Sequence, residues 1–326
     1  MREDYWDIGI DFRKYMPEEY CGEMYHYTST GALFEILSDN GISLWISRQD
    51  CLNDTSEGSV AVEIYHEVLE QLRQEGKITN EQYDCFKKAS IDSKTPFLHF
   101  SNDLKPTQRK EEYRDAEIFV CCFSENNDSL PMWNYYAKGN HYEGYNIGFS
   151  AEQFRTELEA LKENSKSCWS NVEFDIFPIV YSRDEQQRYV YKFMLEFVKY
   201  TNDDIIDIDY SPSYISDVLR EWSAVFKKEC FSHEKEIRLI VRRPIKEFSD
   251  SVCKELPKVS YRHNREYLIP YITLRLQKNI LHNICFGPSV LNNEDKNRQV
   301  QLLKKCLSER DYTNFDINYS NIPVRY

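Results

Sequence analysis

The chain has 326 residues, with 41 basic and 54 acidic side chains and a formal net charge of −13. Hydrophobic residues make up 41% and charged residues 29%, a composition typical of a globular protein rather than a disordered one. The acidic balance argues against a dedicated nucleic-acid binder, which needs positive charge to displace counterions from phosphates. A local basic groove stays compatible with it.

The chain contains ten cysteines, and no CxxC pair occurs among them. The only close pair, Cys121 and Cys122, is adjacent, which suits neither a zinc site nor easy disulfide geometry. The first residues lack the apolar stretch of a signal peptide, and no segment approaches the roughly 18 apolar residues of a membrane span. We therefore expect a cytoplasmic protein with free thiols, without a metal site and without a membrane partner.

Several common enzyme motifs are absent from the sequence. The ten glycines form neither GxGxxG nor GxxxxGK[ST], so neither a Rossmann dinucleotide site nor a P-loop is predicted. HExxH and GxSxG are also missing, which argues against a zinc protease and a serine hydrolase.

Hydrophobic periodicity predicts alternating strands and helices after an N-terminal arm over residues 1–22. The predicted strands lie at 23–28, 42–47, 117–124, 144–150, 236–241, 267–274, 281–286 and 314–318. The predicted helices run from Ser29 or Thr30 to about 38, along 60–72, from a capping box at 79–82, and near 129–138, 151–162, 187–200, 213–230 and 294–308. A turn at 52–57 and a charged surface loop at 105–115 complete the pattern.

No repeat, low-complexity tract or linker divides the chain. The simplest account is one α+β domain over residues 1–326, with insertions near 75–115 and 185–230.

The segment YHYTS is the first that could carry chemistry. His26 lies between Tyr25 and Tyr27, so on a strand its side chain faces opposite to both. A neutral imidazole could donate a hydrogen bond to a sugar hydroxyl or a carbonyl. A hydrogen-bonded core histidine is the more ordinary interpretation.

The segment HEKEIRL places Glu234 and Glu236 two residues apart, which predicts two carboxylates on one face of a strand. Two carboxylates so close push each other's pKa values apart, which serves acid–base or cation-stabilising chemistry. The alternative is a solvated face on which Arg238 pairs with Glu236.

The segment CFSENNDSLPMW ends a strand at Ser124 and continues to Trp133, Tyr135 and Tyr136. A serine beside aromatic rings could hold the amide of a flat ring stacked on them. The alternative is a serine that stabilises a turn, with aromatic residues that fill the core.

The order of these segments resembles a microbial family, the domain of unknown function 2971. HYTS with its helix, CFS…MWNYYA…GYNIGFS, HEKEIRL, ICFGPSV and SNIPVRY occur in the order of that family's elements, over about residues 22–326. The layout is also similar to the ADP-ribosyltransferase superfamily, which places a His or Arg, then a serine or aromatic, then a Glu on successive core strands. This second resemblance implies an ADP-ribosyltransferase-like split sheet core with helical insertions.

Carried over residue by residue, the resemblance implies that NAD is a substrate. His26 would bind a ribose, Ser124 would order the site, Glu236 would be the catalytic glutamate, and Glu234 would accept a proton from the nucleophile. The residues expected to line the NAD site are Tyr27, Thr28, Trp45, Ser124, Trp133, Tyr136 and Arg238. Tyr27, Trp45 and Tyr136 are the candidates for stacking on nicotinamide.

The expected function is cleavage of the nicotinamide–ribose bond with transfer of ADP-ribose to a protein or nucleic-acid acceptor, in the setting of bacterial phage defence. One alternative is a non-catalytic ligand-binding or effector module of a defence system. The other is an RNA-directed 2′-phosphotransferase that uses NAD, which needs a cluster of Arg and Lys around a phosphate and fits the acidic total less well.

Overall fold

A computed structural model describes residues 10–52, 58–91, 116–137, 143–244, 255–264, 266–289 and 291–324. The strands within these ranges are β1 Glu23–Ser29, β2 Leu37–Ser38, β3 Gly41–Arg48, β4 Ala116–Ser124, β5 Gly144–Ser150, β6 Glu173–Pro178, β7 Glu236–Pro244, β8 Ser260–Asn264, β9 Tyr267–Leu276, β10 Leu281–Phe286 and β11 Asp316–Tyr319. The α-helices are α1 Thr30–Ile36, α2 Ser59–Gln74, α3 Asn80–Phe86, α4 Leu130–Tyr136, α5 Ala151–Glu163, α6 Arg183–Asn202, α7 Ser211–Ser223 and α8 Asn293–Ser308. The mixed α+β class is as predicted.

Local signals in the sequence explain several of these elements. The Thr79 hydroxyl accepts from the Gln82 backbone at 3.1 Å and the Gln82 side chain accepts from the Thr79 backbone at 3.0 Å, which confirms the capping box of α3. Gly41 has a φ of +112°, and a Cβ there would lie 2.5 Å from the Leu276 carbonyl oxygen. Only glycine therefore fits the turn that begins β3.

Three strands, β2, β6 and β8, were not predicted, and two helices are shorter than predicted: α1 ends at Ile36, where the short strand β2 begins, and α7 ends early as well. β6 contains Asp175, a residue depleted in strands, and β8 is a polar strand at the end of the sheet. α7 ends at Ser223 rather than near 230, because the chain then runs beside Val180 and forms an isolated bridge at Phe226. The predicted loop at 105–115 and most of the predicted turn at 52–57 lie outside the described residues.

The strands form one large sheet in the order β11-β10-β5-β1-β4-β3-β9-β8, and β7 pairs with β4 and β6. β7 occupies one edge of β4 along its whole length, so β1 and β3 share the other edge. β1 meets β4 only at Tyr25–Ser124, whereas β3 meets it at Ser47–Val120 and Arg48–Phe119. Residues 121–123 of β4 therefore face an opening between β1 and β3, which we call the fork.

Helices cover both faces of the sheet. One apolar cluster joins residues of α1, α5 and α8 to one face, and a second joins α2, α3, α6 and α7 to the opposite face at β4 and β7. A smaller cluster packs α4 on β1 and β10. Residues 10–16 of the N-terminal arm pack into the second cluster through Ile10, Phe12, Tyr15 and Met16. None of the helices in the described ranges combines the length and apolar character needed to cross a membrane.

Candidate functional site

The start of β7 brings the two glutamates of HEKEIRL together, but not as predicted. Glu236 is the first residue of the strand, whereas Glu234 ends a 3-10 helix over Glu229–Glu234. Between them Lys235 has a φ of 41°, a left-handed conformation that breaks the strand pattern. The expectation that both carboxylates lie on one strand face is therefore wrong.

The carboxylates nevertheless meet, because they share a lysine. Lys227 Nζ donates to Glu234 Oε2 at 2.6 Å and to Glu236 Oε2 at 2.9 Å, and Arg238 Nε donates to Glu236 Oε1 at 2.7 Å. These four side chains, which we call the charge cluster, are at most 9% exposed. Two positive and two negative charges make the cluster neutral, as burial of charge requires.

The charge cluster keeps Glu236 ionised. Burial alone would raise the pKa of this carboxyl, but Arg238 and Lys227 outweigh burial and hold the pKa at about 2, with a further hydrogen bond from Cys122. Burial would lower the pKa of Lys227, yet Glu236 and Glu234 raise it. At neutral pH Glu236 is thus a fixed negative charge and a poor proton acceptor.

Ser124 on β4 pairs with Glu236 on the neighbouring strand β7, and its buried hydroxyl forms hydrogen bonds to two segments. Its Oγ donates to the Glu234 carbonyl oxygen at 2.6 Å and accepts from the Asn126 backbone at 3.1 Å. The serine thus fixes the turn before β7 against the loop 125–129, which follows β4. This contact supports the turn-stabilising interpretation of Ser124.

Tyr27 holds the same loop from β1. Its hydroxyl donates to the Asn126 carbonyl oxygen at 2.8 Å and accepts from the Ser129 backbone at 3.1 Å. Burial raises the pKa of Tyr27, so the hydroxyl keeps its proton and its donor role. Asn146 on β5 donates to the Asn127 carbonyl oxygen at 2.7 Å.

Asp128 connects the loop to α4 and to the C-terminal segment. Its carboxylate accepts from Trp133 Nε1 at 2.8 Å, from Ser320 Oγ at 2.6 Å and from the Asn321 backbone at 2.8 Å. Ile322 packs beside Trp133 in the small cluster under α4. The hydrogen bonds of Ser124, Tyr27 and Asp128 thus fix the loop 125–129, which lies beside the charge cluster.

His26 lies on the other side of the sheet. Tyr25 pairs with Ser124, which pairs with Glu236, so these three residues share a face, and alternation puts His26 on the opposite one. Its Nδ1 is 3.1 Å from the Cys122 carbonyl oxygen and its ring packs edge-on against Phe123 at 5.7 Å. His26 thus fills the fork and contacts this carbonyl oxygen there.

The protonation state of His26 follows from its position. Burial lowers the pKa of the ring, so the neutral form dominates at pH 7. Because a carbonyl oxygen only accepts, Nδ1 must carry the proton, which leaves Nε2 as an acceptor.

The remaining residues predicted to line an NAD site differ widely in exposure. Trp133 is fully buried and Tyr27 is 5% exposed, and their rings pack edge-on 4.8 Å apart. Thr28, 7% exposed, lies on the face of His26 by alternation. Tyr136 is half-buried. Burial, together with the nearby Glu234 and Glu236 carboxylates, raises the pKa of its hydroxyl. Trp45 on β3 is 46% exposed.

No sequence pattern predicted the role of three residues in this site. Lys227 comes from the loop after α7, held where its backbone donates to the Val180 carbonyl oxygen at 3.2 Å. Tyr181, whose hydroxyl accepts from the Glu236 backbone at 3.0 Å, follows the strand β6 that was not predicted. Cys122 stood inside a recognised segment, but only strand pairing brings its thiol to Glu236.

Comparison with known proteins gives one match. A family model described as "Protein of unknown function (DUF2971)" matches residues 132–239, about a third of the chain. The matched range runs from α4 to β7 and includes the whole charge cluster, but neither His26 nor Ser124. No curated protein and no solved structure matches the chain.

Proposed function

We propose that the chain cleaves the nicotinamide–ribose bond of NAD and transfers ADP-ribose to a macromolecule, as ADP-ribosyltransferases do. The observation that supports this most is an ionised glutamate, Glu236, beside the fork in the sheet. Glu236, Ser124 and Tyr25 lie in register on β7, β4 and β1, and the fork opens directly after the last of these pairs.

The chemistry of bond cleavage suits a carboxylate with this pKa. As the bonding electron pair leaves with nicotinamide, positive charge develops on the ribose, as it does in glycoside hydrolysis. A buried carboxylate with a pKa of about 2 stays negative and stabilises that charge without having to reorganise. Glu236 then has an electrostatic role, while Glu234 accepts the proton of the attacking group.

The other predicted residues divide into two groups in this proposal. Tyr136 and Trp45 retain exposed surface on which a flat ring can stack. His26 lies on the opposite face of the sheet from Glu236, so it positions β4 at the fork instead of contacting NAD. Tyr27 and Trp133 are buried, and they position the loop 125–129 instead of contacting NAD.

One observation favours a second candidate, a non-catalytic ligand-binding module. Both carboxylate oxygens of Glu236 accept hydrogen bonds from Arg238 or Lys227, and its side chain is only 6% exposed. A glutamate so fully paired has to be uncovered before a ribose hydroxyl can reach it. The two candidates differ in whether NAD is consumed.

Transfer of a label from NAD tests the proposal. The purified chain is incubated with NAD labelled in its adenylate part, together with cell lysate, nucleic acid or itself. The proposal predicts incorporation that Glu236→Gln abolishes, while the matched control Glu221→Gln, whose carboxylate pairs with Arg242 on the same strand, retains it. Equal incorporation by folded Glu236→Gln would refute the assigned role, and NAD binding without consumption would favour the second candidate.

A further inference from the structure

The strands β3, β9 and β8 carry exposed aromatic side chains on one face. Ile42, Leu44, Ile46, Ile272, Leu274 and Leu276 point to the core on the other face, so residues of the opposite parity form the outward one. We call this surface the aromatic face. Its exposed or half-buried residues include Trp45, Arg262, Tyr267, Tyr271, Thr273 and Arg275, whereas Ser47 and Ile269 on the same face are buried.

Trp45 and Tyr271 form a tilted ring pair on this face. Their ring centroids are 4.7 Å apart with planes inclined by 31°, and Trp45 is 46% exposed. Tyr267, farther along β9, is 75% exposed. A tryptophan that packs against a tyrosine and is nearly half exposed offers ring surface for another aromatic ring.

The charge of the aromatic face differs from that of the chain. The chain carries 54 acidic side chains, yet the described residues of this face include two arginines and no carboxylate. The Arg262 guanidinium lies 5.9 Å from the centre of the Trp45 ring and donates to Ser47 Oγ at 3.0 Å. Its Nε is buried and has no acceptor among the described residues. The face therefore combines a π surface with positive charge.

We propose that the aromatic face binds single-stranded nucleic acid, with a base stacked on Trp45 and phosphates beside Arg262 and Arg275. Proteins that bind single strands combine these two features, and every base has a face that can stack. A duplex hides its base faces, so it cannot use the Trp45 surface. The stretch of β9 from Tyr267 to Arg275 spans about 26 Å at roughly 3.3 Å per residue, enough for several nucleotides.

The aromatic face and the charge cluster lie on the same face of the sheet, separated by the buried Val120. Ser47 pairs with Val120, which alternates with Cys122 and Ser124 along β4 on the face that carries Glu236. A strand bound at Trp45 thus lies on the side of the sheet where ADP-ribose would be released. That nucleic acid is the acceptor rests on the proposed function, whereas binding of the single strand does not.

Fluorescence anisotropy without NAD tests the binding. The probes are a labelled 12-nucleotide oligothymidylate and a labelled 12-base-pair duplex, each at 50 and 200 mM salt. We expect the single strand to bind at least tenfold more tightly than the duplex. Trp45→Ala should weaken binding about tenfold or more, since stacking provides much of the affinity. Arg262→Gln should weaken binding and reduce its dependence on salt.

Two controls make the result specific. Tyr210→Ala removes another aromatic side chain of similar exposure, 40%, at a site before α7, and should bind as wild type does. Glu236→Gln should also bind as wild type does, so that loss of NAD cleavage and loss of binding are separate results.

Equal affinity for duplex and single strand, or unchanged binding by folded Trp45→Ala, would overturn the proposal. Absence of oligonucleotide binding by the folded wild-type chain would also overturn it.

Discussion

The charge cluster and the aromatic face lie on the same side of one sheet, yet the surroundings of their charged side chains are opposite. In the charge cluster every charged group has an opposite partner within 3 Å and little contact with water. On the aromatic face Arg262 has a tryptophan and a serine as neighbours and no carboxylate among the described residues. Buried charge is tolerated only when it is paired, whereas a charge at the surface can remain available for a partner. In the two proposals, the first region acts on a reacting group and the second binds a ligand.

Removal of one member of the charge cluster should have the largest effect on stability. Glu236→Ala removes the carboxylate that the buried Arg238 and Lys227 share. We expect the free energy of unfolding to fall by about 3–5 kcal/mol, as measured by urea denaturation. Replacement of the pair, Glu236→Leu with Arg238→Met, removes both charges and should recover most of that loss. A loss below about 1 kcal/mol in Glu236→Ala would show that the cluster is open to water.

Acid should weaken the charge cluster through Glu236. Its pKa falls from an ordinary 4.5 to about 2 on folding, so the ionised form stabilises the fold above about pH 4.5 and this stabilisation is lost as the pH falls toward 2. The shift corresponds to roughly 3 kcal/mol, of which about 2 should disappear between pH 6 and pH 3. Urea denaturation at both pH values should show a smaller loss in Glu236→Gln than in wild type. Equal losses in the two proteins would contradict the pairing.

The conformation of the loop 125–129, beside the charge cluster, should depend on Asp128. Asp128→Ala leaves the buried Trp133 indole and two groups of the C-terminal segment without their acceptor. We expect a loss of about 2 kcal/mol in thermal denaturation and faster hydrogen exchange in the loop 125–129. Asp128→Asn retains an acceptor oxygen and should lose less. A loss that is the same in both variants would show that the charge, not the acceptor geometry, holds the loop.

The aromatic face should contribute least to stability. Trp45→Ala removes a ring that is already 46% exposed, so we expect the free energy of unfolding to change by less than about 1 kcal/mol. Urea denaturation measures this directly. A loss as large as that in Glu236→Ala would place Trp45 in the core and remove the contrast between the two regions.

Patterns within one segment predicted much of the fold, and contacts between segments explain the rest. Alternation in YHYTS correctly put His26 opposite to Tyr25, but only the pairing of β1 with β4 places it opposite to Glu236 as well. The predicted pairing of Glu236 with Arg238 is observed, but the solvated face expected with it is wrong, because both side chains are buried. Lys227 could not be predicted, because its position depends on a bridge to the segment after β6.

Release of nicotinamide from NAD, followed by chromatography, tests the central claim most directly. We expect the wild-type chain and Glu221→Gln to release nicotinamide. In Glu236→Gln the rate of release should be at least about 100-fold lower, with unchanged circular dichroism. Glu236→Asp keeps the charge but shortens its reach, and should fall between the two. Release at the wild-type rate by folded Glu236→Gln, or no release by any form under conditions in which NAD binds, would contradict the account.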